Sequence, residues 1–305
     1  MDFHQYLKAR RAEIDAALVA ALPAPPECPA VVASAMRYSV TAGGKRLRPI
    51  LCLASAETVG GDLALAMPAA CALEFVHTYS LIHDDLPAMD NDTMRRGQPT
   101  LHVVAGEGIA ILAGDGLLTE AFALMAREPA TVDPILAARK LRVIGVVAAA
   151  AGAAGMVGGQ ALDLGAGRSH EADPPAPPPG GEHLRMMHAR KTGALIRAAA
   201  VAGAIIGGAP DPLVGSIDAA AEELGLAFQI IDDVLDVEGE SARLGKTAGK
   251  DAAAGKATYA ALYGIDGARQ MAAACLDRAD LVLRKAGLEG TLLPEIGRWI
   301  VNRSH

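Results

Sequence analysis

Two short stretches concentrate most of the chemistry in this chain. His83-Asp84-Asp85-Leu86-Pro87-Ala88-Met89-Asp90-Asn91-Asp92 is followed by Arg95-Arg96-Gly97, and Phe228-Gln229-Ile230-Ile231-Asp232-Asp233-Val234-Leu235-Asp236 carries the second acid cluster. Adjacent carboxylates on one helix repel each other unless a counter-charge is supplied. Two such sets inside apolar surroundings therefore ask for cations. All-oxygen donors, with no Cys or His among them, favour Mg²⁺, which keeps several waters and bridges carboxylates to substrate phosphates. Basic residues in glycine-rich or helix-terminal settings accompany the acids: Gly43-Gly44-Lys45-Arg46-Leu47-Arg48-Pro49, Arg95-Arg96, Lys191-Thr192-Gly193, and Gly245-Lys246 through Lys256. A single basic run is ordinarily a solvated face. Two acid motifs with four basic ones fit a polyphosphate ligand instead, and a diphosphate suits the charge pattern.

The elements that must position these groups are helices. Apolar residues recur at intervals of three and four almost everywhere, and period-two alternation is nearly absent, so the chain is expected to be all-α. Breaks at Pro23 to Pro29, Gly43-Gly44, Gly60-Gly61-Asp62, Pro129 to Pro134, Gly207 to Pro212 and Gly239 to Gly255 separate the helices. None of these reads as a linker, so a single domain over 1–305 is expected. The run Pro174-Pro175-Ala176-Pro177-Pro178-Pro179 cannot be helical, and 165–181 is expected to be an exposed, mobile loop. The helix bearing the first acid motif is expected to start near Pro68 and to place His77, Ser80 and Asp84 on one face. Pro87 should then loop the chain out and return Asp90 to the side of Asp84. In the second motif Asp232 and Asp236 form an i, i+4 pair, with Gln229 one turn earlier.

Composition narrows the classes. The 305 residues are 51% hydrophobic and only 3% aromatic, which allows a large core of small aliphatic side chains and rules out disorder. A formal net charge of −7 argues against a general nucleic-acid binder. Cys28, Cys52, Cys71 and Cys275 lie far apart without metal-ligand spacing, so neither a zinc site nor a disulfide framework is indicated, and a reducing cytoplasm fits. Met1 to Arg11 is polar and mixed in charge, so no secretory leader is expected. The uncharged stretch Val143 to Gly159 falls short of the ~20 residues of a membrane span and reads as a buried helix.

The GGKRLRP segment, DDxxxxD followed by RRG, KTG and FQxxDDxxD occur in an order that resembles the trans-prenyltransferases, the short-chain isoprenyl diphosphate synthases that include farnesyl and geranylgeranyl diphosphate synthases. The likeness runs from about Val31 to Tyr263, and the four residues between Asp85 and Asp90 match the bacterial and plastid form. The resemblance implies a helical bundle of the isoprenoid synthase type with a central cavity. It implies that Asp84, Asp85 and Asp90 on one wall, and Asp232, Asp233 and Asp236 on the other, hold Mg²⁺, three ions per site. Arg95, Lys191, Lys246 and Lys256 match positions that bind the allylic diphosphate. Gly44, Lys45, Arg48, His77 and Arg96 match the isopentenyl diphosphate site. Gln160 and Asp163 match a motif beside the metals that acts through water, and Thr192 and Gln229 match groups that face the allylic cation. His83, His102 and His188 have no such match and read as structural.

Breaking the allylic C–O bond places charge on the departing diphosphate, so cations held beforehand lower the barrier. No side-chain nucleophile is needed. Tyr79 and Ser80, the fifth and fourth residues before Asp84, occupy the expected floor under the growing chain. By the resemblance, an aromatic Tyr79 points to farnesyl diphosphate, with geranylgeranyl diphosphate the nearest alternative. A homodimer acting on small-molecule diphosphates, without nucleic acid or integral membrane association, completes the expectation. A terpene cyclase shares the scaffold and the first motif but usually carries an Asn/Ser/Glu-type second motif, and it has no use for Lys45 and His77. A non-catalytic regulatory subunit would be expected to have lost some acids, and both clusters are complete.

Overall fold

The computed structural model describes residues 2–166, 180–243 and 258–303. Nearly all of these residues are helical, and the described strands are the two residues on each side of one hairpin, Met94–Arg95 (β1) and Gln98–Pro99 (β2). The chain divides into two compact units, one of residues 1–147 and 199–210 and the other of 148–198 and 211–305.

In the first unit α1 (Phe3–Ala21), α2 (Ala30–Val40), α3 (Leu47–Thr58), α4 (Leu63–Asp84), α5 (Leu101–Ala105) and α6 (Glu107–Arg127) pack around α4. Helix α3 is buried from Leu47 to Ala56, and α4 is buried along most of its length, largely through Ala, Leu, Cys and Phe75. The small side chains explain how so aromatic-poor a sequence forms a dense core. Helix α4 starts five residues before the expected point. Asp62 caps it, accepting from the Ala64 amide at 2.8 Å, and Pro68 is carried inside the helix. A side-chain cap that satisfies an orphan amide outweighs the preference of proline for the first turn.

Helix α7 (Pro134–Ala151) begins in the first unit and ends in the second. The expected single buried helix over Val143 to Gly159 is not formed. Helix α7 stops at Ala151, a turn joins Gly152 and Gly155 through a 3.0 Å bond, and α8 (Met156–Ala166) follows. Glycine lowers the cost of leaving the helix at both positions. Three stretches, Leu63–Asp84, Glu107–Arg127 and Pro134–Gly165, are long and apolar enough to cross a bilayer by length and composition, and the first is 67% buried inside the fold.

In the second unit α8 packs on a π-helical turn (Ala189–Gly193) that interrupts the join between α9 (Gly181–His188) and α10 (Ala194–Gly207). Helix α11 (Asp211–Arg243) packs along α12 (Tyr259–Lys285), and α13 (Leu292–Asn302) lies against both. The Pro-rich run of the expected loop lies outside the described residues, as do Lys246 and Lys256.

Candidate active site

The first acid motif sits at the end of α4. The helix stops at Asp84, and Leu86, Met89 and Asn91 close tight turns after it. The Asp90 amide donates to the Asp84 carbonyl at 2.9 Å. Pro87 therefore does return Asp90 to Asp84, in a turn that follows the helix. Asp84 and Asp90 stay half-exposed, whereas Asp85 is 4% exposed and turned inward. Its carboxylate accepts from Arg95 Nε at 2.8 and 2.9 Å and from Nη2 at 2.7 Å. Burial pushes the Asp85 carboxyl pKa up, and the Arg95 guanidinium opposes that shift.

The hairpin that carries Arg95 turns at Arg96 and Gly97, with φ of 53° and 77°. A two-residue turn of this hand needs both central residues left-handed, which glycine adopts readily and arginine adopts at a cost. The strained residue projects its guanidinium across Gly44, and Nη1 donates to the Gly43 carbonyl. A Cβ on Gly44 would lie 2.7 Å from Arg96 Nη1, so the guanidinium lies directly over the loop at a residue whose φ of 136° favours glycine.

His77, one and two turns before Ser80 and Asp84, is half-buried. Burial, followed by the charges of Arg48, Arg96, Arg95 and Arg46, holds its imidazole well below the usual pKa, so it is neutral. The first unit thus gathers His77, Arg48, Arg95 and Arg96 as one cluster of the residues picked out in the sequence. Lys45 is half-buried on the same loop as Gly44. Tyr79 is 6% exposed and meets His83 edge-on, with ring centroids 5.7 Å apart. Ser80 turns its hydroxyl back onto the His77 carbonyl at 2.8 Å. His83 packs with Nε2 3.2 Å from the Ile111 carbonyl, in keeping with a structural role.

In the second unit the π turn carries Lys191 and Thr192. Such turns interrupt the regular ladder and recur at functional sites. A Cβ on Gly159 would lie 2.1 Å from the Lys191 amide nitrogen, so the glycine lets α8 lie directly on the turn. That approach brings Lys191 Nζ to 2.5 Å from Asp163 Oδ2. Gln160, on the same helix, has both amide atoms buried without a hydrogen-bond partner.

On α11 the acids divide by helical face. Gln229 Nε2 donates to Asp233 Oδ1 at 2.9 Å, and the Tyr259 amide donates to Oδ2 at 2.8 Å. Asp233 is 6% exposed, and burial pushes its carboxyl up to about 6, against those two hydrogen bonds. Asp232 is half-exposed and Asp236 exposed on the neighbouring face. His188, at the end of α9, is buried against Tyr259 and beside Gln229, and desolvation lowers its pKa to about 4.

Arg303 ends the described chain, and sequence reasoning left its role open. Its Nη2 donates to Asp232 Oδ1 at 2.6 Å and to the Phe228 carbonyl at 2.7 Å, with the guanidinium 3.8 Å from the Phe228 ring centroid. The tail cation therefore rests on the second acid motif. Sequence reasoning also missed Glu74, although a lone carboxylate in the apolar run Leu63–Ile82 was a signal that it must have a buried partner.

Among the described residues no group of three or more carboxylate, imidazole or thiol side chains forms a complete metal cage. The donor set suits a cation that keeps open positions for water and phosphate oxygens, and Mg²⁺ is such a cation. The unpartnered amide of Gln160 also fits water at this site.

Related proteins share this fold and family. The polyprenyl synthetase family profile matches residues 29–280. A farnesyl diphosphate synthase of Geobacillus stearothermophilus is 45% identical over 281 residues, covering 92% of this chain and 91% of that protein. The chloroplastic large subunit 1 of a heterodimeric geranylgeranyl pyrophosphate synthase of Arabidopsis thaliana is 46% identical over 271 residues, 89% of this chain and 71% of that one. The crystal structure of an FPP/GFPP synthase from Zymomonas mobilis superposes with a TM-score of 0.84 at 36% identity, covering 98% of each chain. With its motifs carried on an all-α scaffold, this chain belongs to the polyprenyl synthetase family and is a prenyltransferase of the short-chain type.

Proposed function

We propose that the chain condenses isopentenyl diphosphate with dimethylallyl or geranyl diphosphate and releases farnesyl diphosphate as its main product, with residues 1–305 acting as one catalytic domain. The observation that carries this reading is the cluster around His77. A neutral imidazole among Arg48, Arg95 and Arg96, with Lys45 on the adjoining loop, offers a diphosphate several cationic donors and one uncharged ring.

In this reading Gly44, Lys45, Arg48, His77 and Arg96 bind isopentenyl diphosphate. Arg95 and Lys191 act on the allylic diphosphate, together with Lys246 and Lys256 from outside the described residues. Asp84, Asp90, Asp232 and Asp236 are the residues that would hold Mg²⁺, three ions per site, while Asp85 and Asp233 fix the two motifs from beneath. When bound, Mg²⁺ supplies neutralisation of the charge that builds on the departing diphosphate. Arg95 and Lys191 add to that stabilisation and are held beforehand by Asp85 and Asp163. The allylic C–O bond breaks, and the isopentenyl double bond attacks the allylic carbon. A proton then leaves to the released diphosphate. Thr192 and Gln229 present oxygen atoms to the transient cation, and Gln160 and Asp163 would steady water held by the bound cation.

Product length follows from α4. Tyr79 is buried five residues before Asp84 and its neighbour Ser80 is small, which supports a chain that stops at C15. The edge-on contact of Tyr79 with His83 supports a second reading, in which the ring belongs to the α4 packing and the product is geranylgeranyl diphosphate. We read the protein as a cytoplasmic enzyme that pairs with a second copy; the exposed apolar side chains Val103 and Val104 on α5 and Ile111 and Leu112 on α6, each more than 40% exposed, support the pairing. Incubation with Mg²⁺, isopentenyl diphosphate and dimethylallyl diphosphate, followed by chromatography of the dephosphorylated products, tests the function. A dominant C15 alcohol that lengthens in Tyr79→Ala is the expected result. No elongation with any allylic primer would overturn the reading.

A further inference from the structure

Arg46 lies between Lys45 and Arg48 in the basic loop, yet it faces away from the cluster they serve. Its backbone is left-handed, with φ of 51°, at the residue that caps α3, and its side chain is 3% exposed. Three anchors from three helices receive it: Nε donates to Asp15 Oδ1 of α1 at 2.8 Å, Nη1 to Glu74 Oε1 of α4 at 2.7 Å, and Nη2 to the Val40 carbonyl at the end of α2 at 2.7 Å. Glu74 is itself 2% exposed and stands one turn before His77 on α4.

We propose that Arg46 is a positioning residue for the isopentenyl diphosphate site. It touches no substrate, and through its buried pair with Glu74 it locks loop 43–46 and the start of α3 onto the face of α4 that presents His77. The inference rests on the proposed assignment of that site. A buried ion pair is a weak source of net stability but fixes one geometry strongly, because each partner alone would be stranded without solvent. The left-handed residue is the means: it turns one cation of the loop inward, where three acceptors define its place. Arg48, whose charge acts on His77, is thereby fixed in place, and Lys45 with it on the same segment. The fork of the guanidinium matters as much as its charge, since these three acceptors bond three separate nitrogens and a lysine carries its donors on one. Glu74 also favours the charged form of Arg96, so the same carboxylate supports a second cation of the cluster.

The test measures isopentenyl diphosphate binding calorimetrically, alongside steady-state kinetics, for the wild type, Arg46→Lys, Glu74→Gln and the paired variant Arg46→Met with Glu74→Met. In the single variants the KM and Kd for isopentenyl diphosphate are expected to rise ~10-fold or more, with kcat and the KM of the allylic diphosphate near wild type. The paired variant removes both buried charges, so it is expected to recover thermal stability while its weak isopentenyl diphosphate binding remains. Recovery of both together would make the pair a stabilising contact only and overturn the inference, as would single variants that bind like wild type. A wild-type protein that binds no isopentenyl diphosphate would overturn the site assignment and the inference with it.

Discussion

The two acid motifs solve one problem with different partners. Each keeps one aspartate inside, Asp85 at 4% exposure and Asp233 at 6%, while the remaining acids stay toward solvent. Asp85 is held by a cation, the Arg95 guanidinium brought by the hairpin. Asp233 is held by neutral donors, the Gln229 amide and the Tyr259 N–H. Burial raises both carboxyl pKa values, but Asp85 has a positive charge to oppose the shift and Asp233 does not, so Asp233 reaches about 6. A hydrogen bond from a neutral group satisfies a buried oxygen without offsetting the cost of its charge.

The outward acids differ in the same sense. Asp84 and Asp90 share a turn through a backbone bond, whereas Asp232 has a cation of its own chain, Arg303, resting on it. If outward acids serve the reaction and inward acids serve the fold, Asp84→Asn lowers kcat by about 10²–10³-fold. Chemical denaturation of that variant should shift less than that of Asp85→Asn, in which a buried side chain loses its charge-assisted bonds to a half-buried guanidinium, at a cost of about 1.5–3 kcal/mol. Asp232→Asn should lose activity and stability together, because Arg303 is left buried. Equal effects of Asp84→Asn and Asp85→Asn on both measurements would erase the distinction.

Acid pH separates the two regions further. The folded state binds a proton on Asp233 more tightly than the unfolded chain does, so its contribution is present below about pH 4 and is lost as pH rises to about 6. At about 1.4 kcal/mol per pH unit over roughly two units, that loss is ~3 kcal/mol. His188 acts with the opposite sign: it is neutral in the fold down to about pH 4, so its contribution is present above the unfolded pKa of ~6.5 and is lost as pH falls. Urea unfolding in EDTA between pH 4 and 7 should therefore rise more steeply with pH in Asp233→Asn than in the wild type, and less steeply in His188→Gln. Parallel curves for all three proteins would sink the assignment.

The smallest expected effect concerns the tail. Arg303 and a divalent cation compete for Asp232, so Arg303→Gln should bind Mn²⁺ more tightly in the absence of substrate, by about fivefold if the pair contributes ~1 kcal/mol. Electron paramagnetic resonance of free Mn²⁺ reads this directly, and an unchanged or weaker affinity would remove Arg303 from the competition.

Much of this site was legible beforehand because its chemistry is local. The break at Pro87, the shared face of His77, Ser80 and Asp84, and the i, i+4 relation of Asp232 and Asp236 follow from helical geometry and the missing proline amide. The start of α4 at Asp62 was misplaced because two local signals competed, and the capping hydrogen bond prevailed over Pro68. The run from Val143 to Gly159 was misread because apolar length alone does not show that glycines at 152 and 155 will break the helix.

The sequence by itself determined the helical class, the order of the motifs, the need for a cation and the diphosphate-like pattern of charge. These depend on residue type and spacing along one element. Tertiary structure alone decided which acid of each pair turns inward, that Arg46 leaves the basic loop to meet Asp15, Val40 and Glu74, and that Arg303 settles on Asp232. Those choices depend on which buried charge finds a partner from a distant segment. The charged partners of Asp85, Arg46 and Asp232 lie 10 to 71 residues away in the chain, at separations that helical spacing does not encode.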